Sequence, residues 1–111
     1  MAYDLLLAER IRGLIKNQPG LTEKKMFGGL AFLINGNMTI SASGHGGVML
    51  RVDPNGSEAL ISSSHARVVE MRGRLMPGWL RIDTEYLHSD SDLSKWVQIA
   101  TAYTRSLPPK Q

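Results

Sequence analysis

The sequence predicts an α+β fold. The expected architecture is two layers: a mostly antiparallel five-stranded sheet with helices on one face, in the order α-β-β-β-α-β-β-α. Three observations carry this. Helical periodicity is confined to the two ends and one short middle segment. The strand-like runs between them follow one another through glycine-rich turns. Hairpin links of that kind favour antiparallel pairing.

Asp4 to about Asn17 reads as an amphipathic helix, with Leu7, Ile11, Leu14 and Ile15 on one face. Asp4 supplies the N-cap, and Pro19-Gly20 ends the helix. Thr22 to Phe27 reads as a strand. Leu30 to Ile34 is a second, apolar on both faces and therefore interior to the sheet. Between them, Gly28-Gly29 forms a bulge or bend. Asn35-Gly36 is the strongest hairpin signal, because a type I′ turn needs positive φ at both central residues.

Asn37 to Ala42 alternates next. Met38, Ile40 and Ala42 are expected on one side, with Thr39 and Ser41 on the other. Gly44-His45-Gly46-Gly47 reads as a flexible hairpin turn, after which Val48 to Val52 alternates again, with Val48, Leu50 and Val52 inward. Asp53-Pro54 then has the form of an N-cap with proline at the first helical position, starting a short helix to about Ser62. Val68 to Met71 and Trp79 to Ile82 read as strands joined by Arg72 to Gly78, with Gly78 suited to a type II turn. The last helix starts near Ser91, with Leu93, Trp96, Val97, Ala100, Thr104 and Leu107 at helical spacing. Pro108-Pro109 ends it, and Pro108 to Gln111 reads as a tail. The sheet face away from the helices is expected to carry Thr39, Ser41, Met49, Arg51, Trp79 and Arg81.

The chain has 111 residues, fitting one domain over 1–111. Having no cysteine excludes disulfides, thiol nucleophiles and thiolate metal sites. The longest apolar runs fall far short of the ~20 residues that span a bilayer. Asp4, Glu9 and Arg10 interrupt the early apolar stretch, against a signal peptide. A cytoplasmic protein without a membrane partner is the expectation.

The formal net charge is +3. All of that excess falls between Arg67 and Arg81, where Arg67, Arg72, Arg74 and Arg81 face a single acid, Glu70; the remainder is balanced. Arginine presents a planar donor fork suited to phosphate and carboxylate. Arg67, Arg72, Arg74 and Arg81, helped by Lys24 and Lys25, are thus the candidate anion or nucleic-acid contacts, expected to be weak. Trp79 beside them could stack a base or cover a cation.

Other chemistry finds no support. There is no Gly-x-Ser-x-Gly elbow. His45, His65 and His88 have no partner at ligand spacing, so no metal is expected. Lys24-Lys25-Met26-Phe27-Gly28-Gly29 places lysine before glycine, the wrong order for a P-loop, and no dinucleotide fingerprint follows a strand. Neither catalytic residues nor a cofactor are expected.

The stretch Lys24-Lys25-Met26-Phe27-Gly28-Gly29-Leu30-Ala31-Phe32-Leu33-Ile34-Asn35-Gly36-Asn37-Met38 resembles the TfoX/Sxy N-terminal domain family. Ala8-Glu9-Arg10-Ile11-Arg12, Gly73-Arg74-Leu75-Met76-Pro77-Gly78-Trp79 and Arg105-Ser106-Leu107-Pro108-Pro109-Lys110 agree with it. Met26, Phe27, Gly28, Gly29, Asn35, Gly36, Pro77, Gly78 and Trp79 carry the signature as structural positions. The resemblance implies an α-β(3)-α-β(2)-α fold similar to type III secretion chaperones. It also implies kinship with regulators of natural competence, which act with a cyclic-AMP receptor protein and carry a further C-terminal helical domain. No catalytic residue is implied. The expectation is a stand-alone N-terminal domain: a non-enzymatic interaction module, binding protein and forming a homodimer through its uncovered sheet face or an edge strand.

Overall fold

A computed structural model describes residues 3–26 and 28–109. The chain forms α1 (Leu5–Ile15), β1 (Leu21–Met26), β2 (Gly29–Ile34), β3 (Asn37–Ala42), β4 (Val48–Arg51), α2 (Ser57–Ser62), β5 (Arg67–Met71), β6 (Arg74–Ile82) and α3 (Asp90–Arg105). A 3₁₀ turn over Thr84–Tyr86 precedes α3. All the strands join one sheet in the order β1-β2-β3-β4-β6-β5, every neighbouring pair antiparallel.

The α+β class and antiparallel sheet stand, but the sheet has six strands, not five. The alternating run from Val48 makes a strand of its own, β4, the fourth before α2, which the five-strand order leaves out. It reverses from β3 through Ser43–Gly47, where Ser43 N–H donates to the Gly47 carbonyl at 2.9 Å, and then pairs with β6 on its other side. Gly46 and Gly47 sit at φ of +90° and +66°, which glycine adopts without strain.

Asp4 caps α1, its Oδ1 accepting from Leu6 and Leu7 N–H at 3.0 and 3.1 Å. Leu7, Ala8, Ile11 and Ile15 are buried. Leu14, expected among them, is 39% exposed, because it lies just past the edge of the stripe those residues define. The α2 start also differs. Asp53 Oδ1 accepts from Asn55 N–H at 2.9 Å, so Asp53–Gly56 closes as a turn and the helix begins at Ser57. Ser89 caps α3 by accepting from Asp92 N–H at 3.0 Å.

The core lies between the sheet and the helices. Phe32, Ile34, Ile40, Leu50, Leu80 and Ile82 meet Leu7, Ile11 and Ile15 of α1 and Leu93, Trp96 and Val97 of α3. Leu60 and Ile61 of α2 pack against the same cluster. Each fully buried large side chain contributes roughly 1.5–3 kcal/mol. On the helix side, Arg12 of α1 grips Glu23 of β1 with two contacts of 2.8 Å and also pairs with Glu9. Those bonds hold the Glu23 carboxyl below the usual glutamate range.

Two bulges decide which side chains leave the core. Ile40 pairs with Phe32 and Met38 with Leu33, so Thr39 is an extra residue in β3. Thr39 therefore turns inward beside Ile40, and Met38 turns outward, reversing both expectations. In β6, Leu80 pairs with Val68 and Met76 with Val69, leaving Pro77, Gly78 and Trp79 as the bulged segment. The expected connection over Arg72 to Gly78 is thus only Arg72-Gly73, at φ of 53° and 75°. Pro77-Gly78 sits inside a strand, not at its reversal. A bulge accommodates proline because no ladder hydrogen bond is required there. Gly78 takes φ +85°, and its carbonyl accepts from Val52 N–H at 2.7 Å.

Candidate interaction surface

The helices pack into a single core on one side of the sheet, and no helix covers the other side among the described residues. Strand alternation lays out this outer face. From β1 it takes Thr22, Lys24 and Met26, and from β2 Gly29, Ala31 and Leu33. Met38 and Ser41 come from β3, Met49 and Arg51 from β4. Arg67, Val69 and Met71 come from β5, and Arg74, Met76, Trp79 and Arg81 from β6.

Five of the chain's six methionines stand on this face: Met26, Met38, Met49, Met71 and Met76. Met38, Met49, Val69, Met71, Met76 and Trp79 line an apolar cavity of about 160 Å³. A smaller neighbouring cavity is shared by Met26, Met38, Met49 and Met71, with His45 and Arg81 also in its lining. Met26 belongs to one edge strand and Met71 to the other. For both to line one cavity, the sheet must curl around its outer face, and the two bulges supply local bending.

The rim is cationic. Outward strand positions carry Lys24, Arg51, Arg67, Arg74 and Arg81, and no Asp or Glu among the described residues. The strand carboxylates Glu23 and Glu70 fall on the opposite side by alternation.

Of the candidate contact residues, Lys24, Arg67, Arg74 and Arg81 therefore share one face. Lys25 points to the other side, and Arg72 occupies the β5–β6 turn. Arg67 is paired with Asp83 at 2.7 Å. Arg81 donates to Ser43 Oγ at 3.2 Å and the Gly46 carbonyl at 3.3 Å, both neutral, so its charge is not cancelled. The Arg51 guanidinium lies 5.4 Å from the Trp79 ring centre and 5.8 Å from that of Tyr103. Trp79 thus lies against a cation of the chain itself.

The remaining signature residues shape the turns beside this face. Asn35 and Gly36 take φ of 53° and 83°, the expected type I′ geometry. Met26 pairs with Gly29, so the chain reverses between them with Gly28 at φ +75°. A Cβ on Gly29 would stand 2.4 Å from the Ala42 carbonyl oxygen, so only glycine lets β2 approach β3 there. Phe27 lies outside the described residues.

The model of the TfoX N-terminal domain family matches residues 14–103. The chain belongs to that family. The match runs from the last turn of α1 to the last turn of α3 and takes in every strand of the sheet. A search of curated proteins found no significant match.

In this TfoX N-terminal domain, no group of three or more His, Cys, Asp or Glu side chains is placed to hold a metal ion among the described residues. Nor is any described helix long and apolar enough to cross a membrane. The residues that sequence reasoning missed are Met38, Met71 and Met76. Their signal was present in the spacing: one methionine in each of β1, β3, β4, β5 and β6. The two bulges obscured which way they point.

Proposed function

We propose that this TfoX N-terminal domain is a non-enzymatic regulatory module that binds protein through the outer face of its sheet. The observation supporting this is the curled face lined by Met26, Met38, Met49, Met71 and Met76. Methionine is unbranched and polarisable, so a methionine surface can repack around a partner. Met71 is exposed and Met26, Met38, Met76 and Trp79 are partly so, and apolar surface gathered on one face marks interaction sites. Self-association through an edge strand, and action in the cytoplasm, belong to the same reading. β1 and β5 leave one side of their backbone unpaired, which is what strand pairing between copies uses.

The test is a photo-crosslinking amino acid at position 71 or 76, with position 6 on the exposed side of α1 as control. Illumination in the native cell should give protein adducts at 71 and 76 and none at 6. Equal labelling at all three positions would refute the reading. Light scattering at tens of micromolar tests self-association, where a monomer mass would rule it out.

A second reading is weak nucleic-acid binding, favoured by Lys24, Arg67, Arg74 and Arg81 sharing a face with Trp79. Contacts to phosphate weaken steeply with salt. A gel-shift titration at low salt separates the two readings: a retarded band lost in the Arg72→Ala, Arg74→Ala variant would support nucleic acid.

A further inference from the structure

The outer face combines two features that together restrict its partner. Its floor is apolar and deformable: Met38, Met49, Val69, Met71, Met76 and Trp79 enclose a cavity with almost no polar lining. Its surround is positive. Lys24, Arg74 and Arg81 rise from the outward strand positions, Arg72 caps the adjoining turn, and none of these four makes an ion pair among the described residues. Exposed cations that lack internal carboxylates are left to meet charge on a partner.

We infer that this face takes an acidic, apolar-anchored segment of a partner protein. Its apolar side chains would enter between the methionines, and its carboxylates would meet Lys24, Arg72, Arg74 and Arg81. The inference rests on the protein-binding reading above and adds the chemistry of the partner. Arginine suits the role, because its planar fork matches a carboxylate with two parallel hydrogen bonds. A second copy stacked on the same face would set cations against cations, and like charges brought together in an interface are costly. Self-association along an edge strand leaves this face open.

The test uses the full chain carrying ¹³C-methyl methionine and three synthetic peptides. All three share one pattern of leucines, with Glu, Gln or Lys at the polar positions. The Glu peptide should shift the methyl signals of Met38, Met49, Met71 and Met76, and its affinity should fall as salt rises. The Lys24→Glu, Arg74→Glu variant changes two exposed surface positions. It should bind the Glu peptide about tenfold more weakly, because two attractive charges at the rim become repulsive. Salt dependence in the unaltered protein gives an independent readout should the variant fold poorly.

Equal binding of the Glu and Gln peptides would overturn the acidic partner while leaving a protein-binding face. Preference for the Lys peptide would also overturn it. If no peptide moves any methionine signal, both this inference and the protein-binding reading fail. A single-stranded oligonucleotide that moves these signals in place of the Glu peptide would transfer the face to nucleic acid. Methionine shifts that depend on protein concentration alone would assign it to a second copy.

Discussion

The Thr39 hydroxyl lies 2.9 Å from that of Thr104, both side chains fully buried. The contact ties the bulged residue of β3 to α3. Each hydroxyl has one proton, so one donates to the other and the accepting one donates onward, either Thr104 Oγ1 to the Ala100 carbonyl at 3.1 Å or Thr39 Oγ1 to the Asn37 carbonyl at 3.2 Å. Because Thr39 is the extra residue, its inward placement is what sends Met38 to the outer face. Thr39→Val keeps the shape and loses the hydroxyl, and should lower stability by about 1 kcal/mol in urea unfolding. Deleting Thr39 should cost more, since it removes the whole contact to Thr104 and straightens β3 into a regular ladder, with Ile40 still paired to Phe32 and Met38 to Leu33. A loss in the deletion variant no larger than that of Thr39→Val would show that the bulge itself adds nothing to stability.

Three glycines should respond differently to alanine, for separable reasons. Gly78 combines φ +85° with a Cβ position 2.9 Å from Pro54 Cγ and 3.0 Å from the Val52 carbonyl oxygen. Gly78→Ala should cost roughly 2–3 kcal/mol and loosen the bend that brings Met76 over Met38. Gly73 has φ +75° but open space, so Gly73→Ala should cost only about 1 kcal/mol, the strain of its backbone alone. Gly13 lies inside α1 with nothing within 4 Å, and Gly13→Ala should stabilise by about 0.5–1 kcal/mol. Thermal unfolding of the three variants would rank them Gly13, Gly73, Gly78, and any inversion contradicts the geometry.

These positions also mark where the sequence was legible. Asn35-Gly36 announced its turn because both central residues favour positive φ, and it folds as expected. Asp4 announced α1 because a carboxylate satisfies the first N–H groups, and it accepts from two of them. Arg72-Gly73 makes the same kind of turn without that local signal, since arginine gains nothing at φ 53°; the β5–β6 pairing holds it there. Alternation failed at Thr39 and at Pro77 to Trp79, because a bulge is set by packing across the sheet and not by neighbours in the chain. The cationic candidates were visible as a charge excess. The methionine floor they surround required knowing where alternation breaks.

Acid should weaken the link between α1 and β1. Hydrogen bonding from Arg12 lowers the Glu23 pKa in the folded protein, against a partly offsetting effect of burial. A carboxylate with a lowered folded pKa binds its proton more readily when unfolded. Its stabilising effect is therefore fully present above the ordinary glutamate value and is lost as pH falls through the lowered folded value. Both side chains are partly exposed, at 40% for Arg12 and 35% for Glu23, and solvent screening keeps the effect small. Glu23→Gln should reduce stability slightly at neutral pH and remove the part of the acid-side slope that Glu23 supplies. Parallel stability–pH curves for the two proteins below the glutamate range would contradict this assignment.

Oxidation should discriminate among the methionines by access. Met71 is 40% exposed and Met49 only 9%, although both line the same cavities. Mild peroxide should convert Met71 to the sulfoxide first and Met49 last, followed by peptide mass spectrometry. The sulfoxide is polar and sits poorly among apolar side chains, so oxidised protein should lose affinity for an apolar-anchored partner while keeping its helix content. A bound partner should slow oxidation of Met71 and Met76 together and leave the overall unfolding transition in place. Protection of Met71 without Met76 would place the partner at the β5 edge instead of across the face. Unchanged oxidation of both, with the partner bound, would move the binding site off the methionine surface altogether.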